Sequence, residues 1–366
     1  MSDSSSMLLI GVGTTGSKIA RGISRAFGEN IRFIIADTDA ATGDGDGRFI
    51  LLGGNRLSGR GAAGNIVEAR LAAEDSIHSF DDFLEGIRLA VIVTALGGGT
   101  GGGATLEISK HLSSLGIPSI VFATTPFLME GEDRQLKARG VMPMIEESAN
   151  ATFFLPMDKL VSGEDNMAAA MRQACDTLST GVTFFWRLIE RPGYLRLDAD
   201  RMRHLIAGAG RGRFAAITVQ GPNRAADAIE QILHSEMLSA ASSPVRSILC
   251  GVLAGEDLRL SELGKIADGV RETFGDRVTF DLGTVNDEAT FCGRISVVIM
   301  LFESNGREHG TVSGGVLGSR GSRRARGPLG TGPSGRGRFN NSEPTFWNGE
   351  DLDVPTFIRH NITLDF

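Results

Sequence analysis

Two glycine-rich segments carry the strongest chemical signal in the sequence. Gly11-Val12-Gly13-Thr14-Thr15-Gly16 follows the apolar run Met7 to Ile10 and precedes a helical pattern. Gly97 to Gly103, glycine at every position but Thr100, follows the apolar run Leu89 to Leu96 and precedes another. A turn from a buried strand into a helix gathers backbone N–H groups at the positive end of the helix, where phosphate binds. Glycine there lets the backbone approach a ligand with no Cβ in the way. Taken alone, the first turn also satisfies the dinucleotide-binding fingerprint, with Asp37 or Asp39 about twenty residues on. It is not a P-loop, because Lys18 follows Ser17 rather than preceding it. The second turn argues against a nicotinamide enzyme: a single dinucleotide domain needs no second phosphate cradle. The rest of the chain also offers no evident substrate-side acid or base. A flexible glycine linker would not sit between two well-patterned core elements.

The elements that position these turns alternate in type. Ser17 to Phe27 reads as a helix with Ile19, Ala20, Ile23 and Phe27 on one face. Ile31 to Ala36 is a second apolar run, closed by Asp37-Thr38-Asp39, and Asn65 to Leu84 reads as largely helical. A helix over Ala104 to Leu115, a strand over Ser119 to Thr124 and a short strand over Phe153 to Pro156 follow. Strands alternating with helices predict a parallel sheet covered on both faces. Glu164 to Glu190 is helical in pattern up to the breaker Arg191-Pro192-Gly193, about 40 Å at 1.5 Å per residue. Beyond it, strands at Phe214 to Val219, Ser247 to Leu253, Arg277 to Leu282 and Ile295 to Phe302 alternate with helices at Ala225 to Leu238 and Ser261 to Phe274. That describes a smaller α+β unit.

Composition narrows the remaining possibilities. A chain of 366 residues suits two packed domains and a tail. No run of about 18 apolar residues appears, so no membrane-spanning helix is expected. The polar start, Met1 to Ser6, lacks the pattern of a signal peptide. Cys175, Cys250 and Cys292 are widely spaced and read as reduced thiols of a cytoplasmic protein. The six His are scattered, and no metal-ligand spacing occurs. A net charge of −7 argues against a nucleic-acid partner. Ser304 to Asn341, rich in Gly, Ser and Arg, has too little apolar surface to fold. The chain then ends in Glu350-Asp351-Leu352-Asp353-Val354-Pro355-Thr356-Phe357-Ile358-Arg359, which reads as a docking peptide. The expected organisation is a nucleotide-binding domain over 1–163, a connecting helix over 164–193, an α+β domain over 194–303, a disordered basic linker over 304–345 and a partner-binding peptide over 346–366.

Gly98-Gly99-Thr100-Gly101-Gly102-Gly103-Ala104 resembles the signature loop of the tubulin/FtsZ family, with Gly102 where FtsZ members usually carry Thr. Other motifs of the family follow in order. Ala36-Asp37-Thr38-Asp39-Ala40 resembles its second loop and Gly59-Arg60-Gly61-Ala62-Ala63-Gly64-Asn65 its third. Thr125-Pro126-Phe127 with Glu130, Gly131 and Arg134 is similar to its sugar-contacting loop. Gln173-Ala174-Cys175-Asp176 lies on the long helix, and Arg191-Pro192-Gly193-Tyr194-Leu195 matches the helix exit. Gly349 to Arg359 resembles the FtsZ C-terminal peptide.

The resemblance implies an α/β protein: a parallel-sheet, Rossmann-like GTPase domain, a long central helix and a smaller α+β domain. GTP or GDP, with Mg²⁺ accompanying the nucleotide, would lie across the first domain. Thr14, Thr15, Gly16, Ser17, Gly99, Thr100 and Gly101 would cradle phosphate, with Lys18 adding charge attraction and Asp37 opposing it. Glu130 would accept from a ribose hydroxyl, Arg134 would approach sugar or phosphate, and Asp176 would accept from guanine. A surface ion pair would space Glu130 and Arg134 identically, and a solvated Asp176 is the plain alternative. Lys18, Asp37, Met157 and Cys175 stand where the family typically has Asn, and Met171 replaces a stacking Phe.

Hydrolysis in this family is completed by a loop of the next subunit, so the resemblance also implies head-to-tail polymerisation into a cytokinetic ring. The acidic pair of that loop corresponds to Asp198 and, at the second position, Arg201, with Asp200 one place early. Asp198 and Asp200 are the catalytic candidates; Arg201 either removes the second carboxylate or acts as an arginine finger. Asp351, Leu352, Asp353, Val354, Pro355, Phe357, Ile358 and Arg359 would dock on a membrane-tethering division protein, holding the chain beneath the membrane without insertion. A nucleotide-switched scaffold without turnover is the alternative within the family.

Overall fold

A computed structural model of the chain describes residues 6–27, 31–43, 48–160, 166–190, 193–197, 199–207, 209–239, 244–275, 277–287, 291–303, 346–347 and 350–351. The chain divides into two units, Met1–Gly310 and Thr311–Phe366.

In the first unit the chain runs β1 (Met7–Val12), α1 (Gly13–Phe27), β2 (Arg32–Asp37), β3 (Phe49–Leu51), α2 (Gly54–Leu57), α3 (Ile66–Asp75), α4 (Asp81–Leu84), β4 (Leu89–Ala95), α5 (Thr100–Ser114), β5 (Ser119–Thr125), α6 (Glu132–Ser148), β6 (Ala151–Pro156) and α7 (Met157–Leu160). It continues through α8 (Met167–Glu190), α9 (Ala199–Ile206), β7 (Gly210–Gln220), α10 (Arg224–Leu233), α11 (Glu236–Ser239), β8 (Val245–Ala254), α12 (Leu260–Phe274), β9 (Thr279–Asn286) and β10 (Arg294–Glu303). The ten strands form one sheet in the order β3-β2-β1-β4-β5-β6-β7-β10-β8-β9. Pairing is parallel from β3 through β7, antiparallel where β10 meets β7 and β8, and parallel again between β8 and β9. The sheet is therefore continuous between the two halves read from sequence, joined where Ala151 to Phe153 pair with Gly210 to Gly212.

Burial on both faces explains why the strands read as unbroken apolar runs. Along β1, Met7 and Leu9 point into one core with Ile19, Ala20 and Ile23 of α1. Leu8, Ile10 and Val12 point into the opposite core with Ala104, Leu106 and Ile108 of α5. A third core lies under α10 and α12 around Ile248, Val252 and Ile266. Helix α8 is about 36 Å long at 24 residues. Its second half is buried through Leu178, Val182, Phe184, Phe185, Trp186 and Leu188. The pattern placed its start at Glu164; it begins at Met167, where the Asn166 side chain accepts from the Ala169 amide at 2.9 Å as a helix cap does.

Several local expectations shift. Helices α1 and α5 start at Gly13 and Thr100, inside the glycine segments rather than after them. Glycine is a poor helix residue, but these positions form first turns whose N–H groups have no intrahelical partner in any case. Helix α6 carries no sequence expectation, because Pro143 interrupts its pattern and only Ala138, Val141 and Ile145 are buried. The region read as one helix over Ala225 to Leu238 breaks between Leu233 and Glu236 into α10 and α11. In the second unit, β11 (Phe346–Trp347) pairs antiparallel with β12 (Glu350–Asp351). The linker 304–345 lies outside the described residues.

One polar hub ties the α10 side of the sheet together. Arg224, only 5 % exposed, donates to both carboxylate oxygens of Glu262 at 2.7 and 3.0 Å and to Asp257 at 2.7 Å. Hydrogen bonding from Arg224 is the leading cause that holds the Glu262 carboxyl below its usual range. Arg224→Ala removes one partner of a buried pair and should cost about 3 kcal/mol, the low end for such pairs because Asp257 is partly exposed. A folded-state carboxyl pKa below the unfolded value stabilises above the unfolded pKa of about 4.3 and ceases to as pH falls through the folded value. Urea midpoints of the parent and Arg224→Ala chains should therefore differ most near neutrality and converge in acid.

Candidate nucleotide site

The strand order brings the two glycine turns together. From β1 the chain moves outward to β2 and β3 on one side, then returns to place β4, β5 and β6 on the other. At such a switch point the carboxyl ends of neighbouring strands open a crevice. The turns after β1 and β4 are neighbours there, since Val12 pairs with Thr94. Gly13 has φ +72°, and a Cβ on it would lie 3.4 Å from the Gly101 amide nitrogen. A Cβ at Gly101 would collide with the Ala95 carbonyl and stand 2.9 Å from the Thr94 hydroxyl. Gly101 is required by close approach of backbone to backbone, and Gly13 by its left-handed φ.

Hydroxyls and one buried carboxylate lock this arrangement. Thr94 Oγ1 lies 3.1 Å from the Val12 carbonyl and 3.2 Å from that of Gly101, so one hydroxyl links the two turns. Thr38 Oγ1 and Thr100 Oγ1 are 2.7 Å apart. Asp37 is buried and accepts from Thr14 Oγ1 at 3.1 Å, Thr42 Oγ1 at 2.8 Å and the Thr38 amide at 2.8 Å. It organises the first turn from below, so the repulsion expected between Asp37 and phosphate is weakened by donors on both of its oxygens. Gly99 caps α5 with no side-chain acceptor. The first N–H groups of α1 and α5 are thus left for a ligand, beside two positive helix ends. The buried Ser17 hydroxyl has no hydrogen-bond partner among the described residues.

Next to these turns lies a cavity of about 270 Å³ lined by Thr15, Leu96, Pro126, Phe127, Met157 and Cys175, with Glu130 and Arg134 also in its wall. Arg134 pairs with Glu130, and Glu130 Oε1 accepts from the Phe127 amide at 2.9 Å. Burial pushes the Cys175 thiol up, helped by Asp176 and opposed by the positive charge of Lys18. At neutral pH Cys175 is a protonated thiol, a weak donor and weak acceptor.

The family model for the "Tubulin/FtsZ family, GTPase domain" matches residues 6–163, and that for the "FtsZ family, C-terminal domain" matches residues 210–303. The cell division protein FtsZ of Pseudomonas aeruginosa is 30% identical over 285 residues, covering 76% of this chain and 72% of that protein. FtsZ of Pseudomonas putida is 31% identical over the same shares. This chain belongs to the tubulin/FtsZ family. Among solved structures, the empty FtsZ dimer of M. jannaschii superposes with a TM-score of 0.76 at 22% identity, covering 81% of this chain and 87% of that one. CetZ2 of Haloferax volcanii, solved as a GTPγS-bound protofilament, gives 0.69 at 18% identity over 82% and 94%. At these identities the structures speak for the fold. The relatives make this an FtsZ-like cell division protein of a GTPase family.

Within this FtsZ-family chain, Thr15, Glu130 and Arg134 line the cavity, and Gly16, Gly99 and Gly101 are buried turn backbone. Thr14 and Thr100 spend side-chain hydrogen bonds on Asp37 and Thr38. Lys18 is exposed on α1. Asp176 is not gathered with them. One residue past Cys175, a helix has turned by about 100°, and Asp176 lines a separate recess on α8 with Arg172, Gln173, Thr177 and Thr180. Asp198 lies outside the described residues, and Asp200 sits in the first turn of α9. Arg201 is bound bidentately to Asp281 at 2.8 and 2.9 Å. Of the expected docking peptide, Asp351 ends β12 and Leu352 to Arg359 lie outside the described residues. Sequence reasoning missed Thr38, Thr94 and Gln135, whose amide donates to the carbonyls of Pro126 and Phe127 at 2.8 and 3.0 Å. Thr94, a hydroxyl in an otherwise apolar strand next to the glycine turn, was the available signal.

The three thiols should report this geometry. Cys292 is exposed, Cys175 is half-buried with a raised pKa, and buried Cys250 is pushed up to about 12. Thiolate is the reactive form. With a disulfide reagent at pH 8 the folded chain should label at Cys292 first, Cys175 more slowly, and Cys250 only on unfolding. Peptide mapping of the labelled protein reads that order.

Proposed function

We propose that this chain binds GTP or GDP across the two glycine turns and polymerises head to tail, each subunit completing the hydrolytic site of its neighbour. The observation that carries the second part is the length of α8. Cys175 lines the nucleotide cavity, and α8 runs on for 15 residues, to Glu190, before the segment that carries Asp198 and Asp200. That is about 22 Å of helix, which carries the chain away from the cavity before those carboxylates are reached. A carboxylate from this end of one subunit reaches the cavity of another when subunits stack in one direction, and a non-closing contact of that kind makes a filament.

In this reading the helix ends and the turn amides bind phosphate, with Thr15 and the Ser17 hydroxyl as additional donors and Lys18 as a nearby positive charge. Glu130 exchanges its internal partners for a ribose hydroxyl, and Arg134 faces sugar or phosphate. The base would meet Cys175, and with Asp176 lining a separate recess base selection would be loosened. Asp198, with Asp200 beside it, orients the attacking water. Arg201 is committed to Asp281 on both its Nε and an Nη, which favours this over an arginine finger. Among the described residues no group of three or more His, Cys, Asp or Glu is arranged to hold a metal, and Asp37 is filled by donors. Mg²⁺ would therefore arrive on the nucleotide phosphates, neutralising charge there.

The tail completes the proposal. Asp351, Leu352, Asp353, Val354, Pro355, Phe357, Ile358 and Arg359 present acidic and apolar groups suited to a groove on a membrane-tethering division protein. No helix among the described residues is long and apolar enough to cross a membrane. The filament would then lie beneath the membrane at the division site.

Phosphate release from GTP, followed with polymer sedimentation as protein concentration rises, tests the shared site. Turnover per subunit should climb from near zero past a threshold as polymer appears, and Asp198→Ala should keep polymer while losing about 100-fold or more of the turnover. Polymer with no phosphate release would leave a nucleotide-switched scaffold. ATP displacing labelled GTP as well as GDP does would remove the guanine assignment.

A further inference from the structure

Behind the nucleotide cavity lies a second one, of about 330 Å³, at the joint where β6 meets β7. Its floor is apolar and aromatic, with Phe153, Phe154 and Phe214 beside Met142 and Met237. Four cations stand around it: Arg139, Lys159, Arg211 and Arg213. Arg213 is neutralised by the buried Glu303 at 2.7 Å, and Arg211 pairs with Glu146 while lying 5.9 Å from the Phe154 ring centroid. Arg139 and Lys159 are exposed and have no partner among the described residues. Glu236 is the one carboxylate in the lining. Counting the paired acids, four positive charges face three negative ones, an excess of one.

We propose that this cavity is a binding site for a small aromatic monoanion, an aryl carboxylate or sulfonate, whose occupancy is felt by the nucleotide cavity. The volume fits one compact ring system. The ring would rest on the phenylalanine floor beside Arg211, and the anionic head would take charge-assisted hydrogen bonds from Arg139 and Lys159. A nucleoside triphosphate carries far more charge than the excess matches. Coupling follows from one shared residue and one hydrogen-bonded link, and rests on the nucleotide reading above. Thr125 lines both cavities. Gln135 lines this one and holds the carbonyls of Pro126 and Phe127, which line the other.

The probe is 8-anilinonaphthalene-1-sulfonate, titrated by fluorescence into nucleotide-free full-length protein. One saturable site per chain is expected, weakened about tenfold or more by Arg139→Ser with Lys159→Ser. Both positions are exposed, so the fold should persist, and circular dichroism checks it. Met142→Trp, which fills the cavity, should abolish binding. Leu260→Ser, in the separate apolar groove formed with Tyr194 and Leu195, should leave it unchanged. Binding that follows Leu260 and ignores Arg139 and Lys159 would overturn the site. Inorganic phosphate competing as well as benzoate would reduce it to an ion patch and overturn the aromatic assignment. Saturating GDP should shift the probe's affinity at least about twofold, and Gln135→Ala should remove the shift. An unchanged affinity in protein shown separately to bind GDP would overturn the coupling alone.

Discussion

Everything in the nucleotide half depends on two helix ends being held side by side with their amides unspent. A helix leaves its first N–H groups without partners, and burying them bare is costly. This chain aligns two such ends because β1 and β4 are neighbours at the point where the strand order reverses. Glycine is needed less for flexibility than for contact, since any Cβ at Gly101 would occupy the space of the Ala95 carbonyl. The Thr94 hydroxyl bridging both turns and the Thr38–Thr100 contact then hold the spacing without filling the crevice. A ligand with concentrated negative charge answers that arrangement.

The same logic accounts for residues that look hostile to phosphate. Asp37 at the mouth of a phosphate cradle is unfavourable as a free charge, yet its carboxylate is sunk among Thr14, Thr42 and the Thr38 amide. The donors that compensate it are the residues that shape the first turn. Cys175 is a comparable case: where a polar group would address a base, burial holds the thiol neutral. In the proposed reading the phosphate end of the site is thus well built, while the base end would be less selective in chemistry.

In the proposed reading, helix α8 would turn a local site into a property of an assembly. Its second half is anchored in the main core through its own Phe184, Phe185 and Trp186, so it acts as a rigid spacer between the cavity and α9. The continuous sheet reinforces that rigidity, because β6 and β7 share hydrogen bonds across the joint. The second cavity sits at this joint, where a ligand would touch α6 on one side and β7 on the other.

The alternation of elements, the two glycine turns and the long helix were legible in the sequence because each rests on local pattern: apolar runs for doubly buried strands and a helical period for α8. The motif order also carried the family. Helix α6 was hidden by Pro143 and a narrow buried face, and the starts of α1 and α5 by the glycines themselves. What only the tertiary structure decided is where side chains point once the elements pack. A change of about 100° per helical residue put Cys175 in the cavity and Asp176 outside it. Packing of helices on strands gave Arg201 of α9 to Asp281 of β9 and Thr14 of α1 to Asp37 of β2. Sequence spacing reports which residues are near along the chain, whereas partners contributed by other elements are set by the fold.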